Sequence, residues 1–429
     1  MKNMAFRVPG FLPQKSTLLL MLGAFLSYTG MYAVRKAFLA GQYTGLELYG
    51  MDFKTILVIS QVLGYMCSKF VGIKFVSEMT NQKRAQSLVL LVGFGLLMLL
   101  AFALVPMWLK PLALFLNGLP LGMVFGLVFS YLEGRKNTEL LAAALSATFI
   151  FSTGFVKTVG VWLMQGFGVG EFVMPFLTGA VFFPVFLVSV RMLNRSGQRS
   201  AEDLSLRSER SPMDARARLD FLRKHGWVFG GLVVVYVLLT VVRDFRDNFM
   251  VEFWAELGMQ HKPEMITLTE IPVAVLVLVV TAFGVLIRDN RKAFNYGMLL
   301  SLCCCVGIVL LTRLFDSGAV SPVGWMVMNG VGLYLPYILF HCLIFERFVA
   351  MLRFTGNVGF LFYMADALGY TGSVGVMLFK EFSDSPLTWV NFLGDLNQTA
   401  GVVMAGVCVL TLALLQTRSR KRPEFSLHS

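Results

Sequence analysis

Charge is what this 429-residue chain has least of: only 14% of its residues are Asp, Glu, Lys or Arg, where a soluble chain carries about 25%. With 56% hydrophobic residues and a mean hydropathy of +0.70, the apolar excess is too large for one aqueous core. A soluble enzyme, a disordered protein and a nucleic-acid-binding domain are thereby excluded. Histidine is scarce, at four residues, and all six cysteines (Cys67, Cys303, Cys304, Cys305, Cys342, Cys408) lie inside apolar stretches. None has metal-ligand spacing with a histidine, so they read as small buried residues, and no metal or cofactor is expected. The chain also lacks a His/Glu metal motif, a nucleophile–base constellation and a phosphate-cradling glycine loop, which argues against an intramembrane enzyme. No small-x-small cleavage site follows the first apolar stretch, which therefore reads as a retained helix.

What the chain has in abundance is long apolar runs. Each crossing of the hydrocarbon layer takes about 20 mostly apolar residues. Twelve such spans fall at 16–40, 53–76, 85–105, 111–133, 138–164, 171–193, 226–250, 265–287, 292–314, 322–345, 356–380 and 396–417. Helices follow because lipid leaves every backbone group to be satisfied within its own segment. The net charge of +12 is gathered into short segments between runs, as topology signals are. One set of connections holds Lys2, Arg7, Lys83, Arg84, Arg135, Lys136, Arg288, Arg291, Arg347 and the tail Arg418–Arg422; the opposite set is acidic, with Glu47, Asp52, Glu171, Glu252 and Glu381. The positive-inside rule then puts both termini and the basic loops on the cytoplasmic side. A basic cytoplasmic face also suits anionic lipid and implies no nucleic-acid partner.

A polar stretch at 194–224 separates six spans (1–193) from six more (225–429, with a basic tail), and short motifs echo across it. Asn117-Gly118 before Pro120 and Asn329-Gly330 before Pro336 are offset by 212, as are Gly72 and Gly284; Arg35 and Arg243 are offset by 208. A six-plus-six duplication is the architecture of major-facilitator transporters, two pseudo-symmetric six-helix bundles around a central site. One chain contains both halves, so a monomer suffices.

Ionisable groups within the spans carry the functional signal. Arg35, Lys36, Lys69, Lys157, Arg243, Asp244, Arg246, Asp247, Glu270 and Asp366 all fall inside apolar sequence. Facing lipid, the ten would cost roughly 25–35 kcal/mol, so most must face a wet cavity or one another. Helical spacing puts Tyr28, Tyr32 and Arg35 on one face of span one, and Gln61, Tyr65 and Lys69 on one face of span two. Span seven offers Tyr236, Thr240, Arg243 and Asp247; span ten offers Tyr334, Tyr337 and His341; span eleven offers Tyr363, Asp366 and Tyr370. Cations and tyrosine hydroxyls drawn from both halves would bind an anion, with the arginine fork suited to phosphate or carboxylate. Lys157 joins this substrate set, while Asp247, Glu270, Asp366 and His341 would balance charge or carry a coupled proton. Other readings stand beside these. Lys36 could snorkel or pair, Arg243 and Asp247 could neutralise one another at i, i+4, Asp244 and Arg246 could pair at the outer mouth of span seven, and His341 could serve packing.

The runs Tyr32-Ala-Val-Arg35-Lys36-Ala-Phe38 and Gly64-Tyr65-Met-Cys-Ser68-Lys69-Phe70 resemble spans one and two of the organophosphate:phosphate antiporters, the branch holding the glycerol-3-phosphate and hexose-phosphate exchangers. Val76 to Arg84 resembles the loop that follows there, with Glu78 where those proteins carry Asp; Glu270-Ile-Pro272 and Gly369-Tyr-Thr-Gly372 are more loosely similar to their spans eight and eleven. The chain is also similar to an uncharacterised bacterial family of facilitator-like membrane proteins. The antiporter resemblance implies a phosphate group held by arginines of spans one and seven beside a lysine of span two, and so roles for Arg35, Arg243 and Lys69. The antiporters' span-five histidine has no counterpart; Lys157 stands near that level. Expected, then, is a secondary transporter of a small and phosphorylated organic anion such as a sugar phosphate. The rival is a transporter-like receptor that senses the anion and signals through the linker or tail.

Overall fold

A computed structural model describes residues 15–77, 79, 81–132, 138–195, 215–352, 358–383 and 388–421. The expected loop residues Lys2, Arg7, Glu78, Arg135 and Lys136, most of the 194–224 linker and the end of the tail lie outside them, as do the side chains at Tyr363 and Arg418. Twelve helical columns follow one another. In the first half these are Lys15–Lys36, Phe53–Ser77, Asn81–Leu104, a fourth in two pieces (Lys110–Leu121 and Val124–Leu132), Thr138–Phe167 and Met174–Arg195. In the second they are Ala215–Asn248, Glu264–Val285, Asn290–Asp316, a tenth in pieces (Pro322–Leu339, a π turn over Phe340–Ile344, then Phe345–Met351), Val358–Phe382 and Trp389–Lys421. Among the described residues nine columns are long and apolar enough to cross a membrane by composition alone. The other three, spans two, five and eleven, carry Lys69, Lys157 and Asp366.

The packing repeats as the motifs do. Span one lies against five and six, two against four, and three against four and six; seven lies against eleven and twelve, eight against ten, and nine against ten and twelve. The halves meet where span five packs on eight and span two on eleven, two contacts that exchange under the same pseudo-twofold. Spans four and ten both leave regular α geometry soon after their internal prolines, Pro120 and Pro336. Each proline removes one ladder hydrogen bond, so the chain relaxes there. Outward positions such as Leu90, Leu97, Val181, Phe283 and Leu410 stay exposed and form the lipid-facing surface.

Close backbone approach holds spans two and four together. A Cβ at Gly64 would lie 2.1 Å from the Phe115 carbonyl oxygen, and one at Gly118 would lie 2.4 Å from that of Gln61. Small residues at helix crossings allow such contact in lipid. At one end of the bundle, Glu47–Leu48 pairs antiparallel with Met51–Asp52 through a turn whose central residues, Tyr49 and Gly50, both have positive φ, as a type I′ turn requires. The Asp52 carboxylate accepts the Thr55 N–H at 2.8 Å, capping span two just where Lys54 is presented.

Candidate functional site

Span one ends at Lys36 and tightens into a 3-10 turn over Ala37–Ala40, so the carbonyls of its last turn need other donors. Span two supplies one, because Gln61 Nε2 donates to the Arg35 carbonyl at 2.5 Å. Asn117 of span four completes the clamp. Its Oδ1 accepts from Gln61 at 2.8 Å, and its Nδ2 donates to the carbonyls of Val34 at 3.2 Å and Gly95 at 2.8 Å. This fully buried network fixes the backbone from which Arg35 projects into the space between the halves.

That space is a cavity of about 50 Å³, room for three or four waters by the rule of about 10–15 Å³ each. Four cations line it, Arg35, Lys36, Lys69 and Arg243, against three carboxylates, Asp244, Asp247 and Asp366. Tyr28, Tyr32 and Tyr65 wall it from the first half, and Tyr334, Tyr337 and Tyr370 from the second. Thr153, Phe125 and Phe149 also reach it, and Thr153 and Phe149 lie four and eight residues before Lys157 on one face of span five.

The four cations are not equivalent. Lys36 Nζ lies 3.0 Å from Asp247 Oδ2 and donates to Asn248 Oδ1 at 2.7 Å. Lys69 Nζ lies 3.5 Å from Asp366 Oδ2. The Arg243 guanidinium stacks on the Tyr337 ring at 3.8 Å and donates to Asp244 at 2.5 Å, and Ser373 Oγ holds the other oxygen of that carboxylate at 3.2 Å. Arg35 stacks on the Tyr65 ring at 3.5 Å, is 4% exposed, and has no carboxylate partner among the described residues. Its Nε is buried with no hydrogen-bond partner. A guanidinium so placed gains a ring face and no counter-charge among the described residues, the situation that a bound anion relieves.

Of the residues expected at the site, Arg35, Lys69, Arg243, Tyr32, Tyr65, Asp247, Asp366 and His341 come together around this cavity. Lys157 and Glu270 are not part of its lining. Lys157 is wholly buried, donating to the Asp247 carbonyl and to Oδ1 at 2.7 Å. It therefore stands behind Asp247 as a second ammonium on one carboxylate. Glu270 is buried against Arg246, 2.6 Å away, and Arg246 also donates to the Met326 carbonyl at 3.0 Å. The pairings differ from those that helical spacing offered. Arg243 takes its sequence neighbour Asp244 on the same helix instead of Asp247, and Arg246 takes Glu270 across the interface with span eight instead of Asp244. Lys36 pairs instead of snorkelling. One pair had no signal beyond a cation in the first turn of span two: Lys54 bonds Glu252 across the halves, beside Asp52 N–H on Glu381 at 2.6 Å.

The whole chain is similar to solved membrane transporters. A D-xylose-proton symporter shares 16% identity, with a TM-score of 0.57 over 90% of this chain and 96% of its own. The nucleoside transporter NupG shares 14%, with a TM-score of 0.60 over 93% and 99%. A bacterial homologue of the lysosomal transporter Spinster, in an inward-facing and unoccupied conformation, shares 12%, with a TM-score of 0.59 over 96% and 99%. This is the all-α, twelve-helix major-facilitator fold that the repeat implies, in a multi-pass membrane protein. No curated protein matches the chain by sequence. From residue 37 to residue 418 the chain matches a family of unknown function (DUF5690), and it belongs to that family.

Proposed function

We propose that the protein is a secondary transporter that moves a small organic anion, phosphorylated in our reading, across a bacterial cytoplasmic membrane by alternating access, with both termini on the cytoplasmic side. The observation that carries this reading is Arg35, a buried guanidinium in a tyrosine cage at the interface of two six-span halves, with no carboxylate of its own. Lys69 and Arg243 flank it and would close on the same anion, with Tyr32 and Tyr65 orienting it. Lys157 acts through Asp247 instead of on the substrate. Binding at a pseudo-twofold axis is the arrangement that lets two halves rock around a fixed site. The transport activities named for the similar structures support movement of a solute, while the spans one and two resemblance and the arginine chemistry support an anion.

Parting of the halves would open this small cavity, about 50 Å³ as it stands, to a larger substrate. Thermal stabilisation of the purified protein by phosphate, glycerol phosphate, sugar phosphates, carboxylates and neutral sugars tests the site. A ligand at a hundred times its dissociation constant adds about 2.7 kcal/mol. Phosphorylated compounds are expected to stabilise the wild type and not Arg35→Ala. In vesicles, Arg35→Ala is expected to lose at least about a hundredfold in uptake, equivalent to roughly 2.7 kcal/mol, while remaining folded and inserted. Wild-type uptake by that variant would sink the assignment, and stabilisation by carboxylates alone would retire the phosphate.

A further inference from the structure

Four spans converge on Asp366. Its Oδ1 accepts the Tyr236 hydroxyl, and its Oδ2 faces Lys69 Nζ at 3.5 Å. The Tyr236 oxygen lies 2.8 Å from His341 Nε2 and 3.4 Å from the Tyr337 hydroxyl. The charged and titratable groups around the cluster are Lys69 and Tyr65 from span two, Arg243 from seven, Tyr337 and His341 from ten, and Tyr370 beside Asp366 on eleven. Asp366, His341 and Lys69 all line the central cavity.

We propose, resting on the transport reading above, that the Asp366–Tyr236–His341 chain binds the proton that travels with the anion, and that Lys69 links the two ligands. The chain keeps all its hydrogen bonds in either direction. With Asp366 ionised, His341 Nε2–H donates to the tyrosine oxygen and the tyrosine donates to Asp366. A proton arriving at His341 Nδ1 lets the Nε2 proton pass to the tyrosine oxygen and the tyrosine proton pass to Asp366. The result is a neutral imidazole protonated on Nδ1, a neutral tyrosine and a neutral acid, with one proton gained. Protonation therefore leaves no orphaned donor, which is what makes a buried acid usable as a store.

Lys69 supplies the coupling. At 3.5 Å its contact with Asp366 is longer than the 2.7–2.9 Å of a close charge-assisted bond, and the same ammonium faces the anion site. An anion that draws Lys69 toward Arg35 removes the counter-charge of Asp366, and the acid then takes up a proton. Binding of each ligand must favour the other, since linkage is reciprocal. The anion and the proton thus move in the same direction.

An infrared titration of the ligand-free protein reads the proton site without any substrate. A protonated-carboxyl band is expected to appear on acidification, to vanish in Asp366→Asn, and to persist to higher pH in Lys69→Gln, where the counter-charge is permanently gone. Tyr236→Phe, which keeps the acid and breaks the chain, is expected to alter the band's midpoint and serves if either other variant fails to fold. Absence of any such band from both the wild type and Lys69→Gln overturns the proposal. In vesicles offered inorganic phosphate or glycerol phosphate, inward movement is expected to alkalinise the medium and to quicken as the medium is acidified, and Asp366→Asn is expected to lose that acceleration. Movement without alkalinisation overturns the proton site and leaves the transport reading intact. Failure of every probe to move counts against the transport reading, and the infrared titration still decides the proton site.

Discussion

Arg35 and Arg243 occupy corresponding places in the two halves, each seven residues after a tyrosine (Tyr28, Tyr236) and each stacked on a tyrosine ring. The second is tied to Asp244 at 2.5 Å, whereas the first has only tyrosines. The polar clamps differ the other way. Asn117 is fully engaged by Gln61 and two carbonyls, whereas its counterpart Asn329 is buried with neither amide atom bonded, because the position matching Gln61 by the 212 offset is Val273. The first half thus pairs a rigid frame with an uncompensated charge, and the second a looser frame with a compensated one. The helix packing repeats between the halves while the side chains at the cavity differ.

The sharpest test of this contrast is stability. Arg246→Ala strands Glu270 in a fully buried position and is expected to cost about 3–5 kcal/mol, seen as a lower unfolding temperature in detergent. Arg35→Ala strands no acid and is expected to cost under about 1 kcal/mol; equal losses in the two variants would mean that Arg35 has an acidic partner after all. Next in size are the asparagines. Asn117→Leu removes one of two acceptors of Gln61 and the side-chain donor to two carbonyls and is expected to cost about 1–3 kcal/mol, while Asn329→Leu removes an unbonded amide and is expected to be neutral or stabilising. A matching loss at both positions would erase the difference between the clamps. Smallest is the glycine pair. Gly118→Ala drives a methyl into the Gln61 backbone, for about 1–3 kcal/mol, whereas Gly330→Ala meets only side chains, Arg246 Nη2 at 2.9 Å and Val273 at 3.0 Å, and is expected to cost less.

Much of the skeleton was legible without coordinates, because lipid forces each span to be a long apolar helix and the Asn-Gly-Pro echoes mark matching spans. Arg35, Lys69 and Asp366 stood out for the same reason: a charge in apolar sequence needs a partner or a cavity. Pairing was less legible. Helical periodicity orders a residue's neighbours on its own helix, and the observed partners of Arg246, Lys157 and Lys54 come from other spans. Lys157 looked like a substrate ligand because its charge is visible in sequence and Asp247, which stands between it and the cavity, is ninety positions away. Thr153 and Phe149 stand four and eight positions before Lys157 on one face of span five, so its charge marks that face, whereas Phe125 of span four has no such marker.

Cations outnumber carboxylates around the cavity, and Lys157 adds another just behind. The imbalance has an electrical meaning. Reorienting an empty carrier would move positive charge through the membrane field, at up to about 2.3 kcal/mol per charge for each 100 mV. In the proposed carrier a dianion entering with one proton would offset one of those charges, so the loaded carrier would cross with less electrical work than the empty one. Voltage would therefore act chiefly on the return stroke, pulling the vacant site toward the negative face of the membrane.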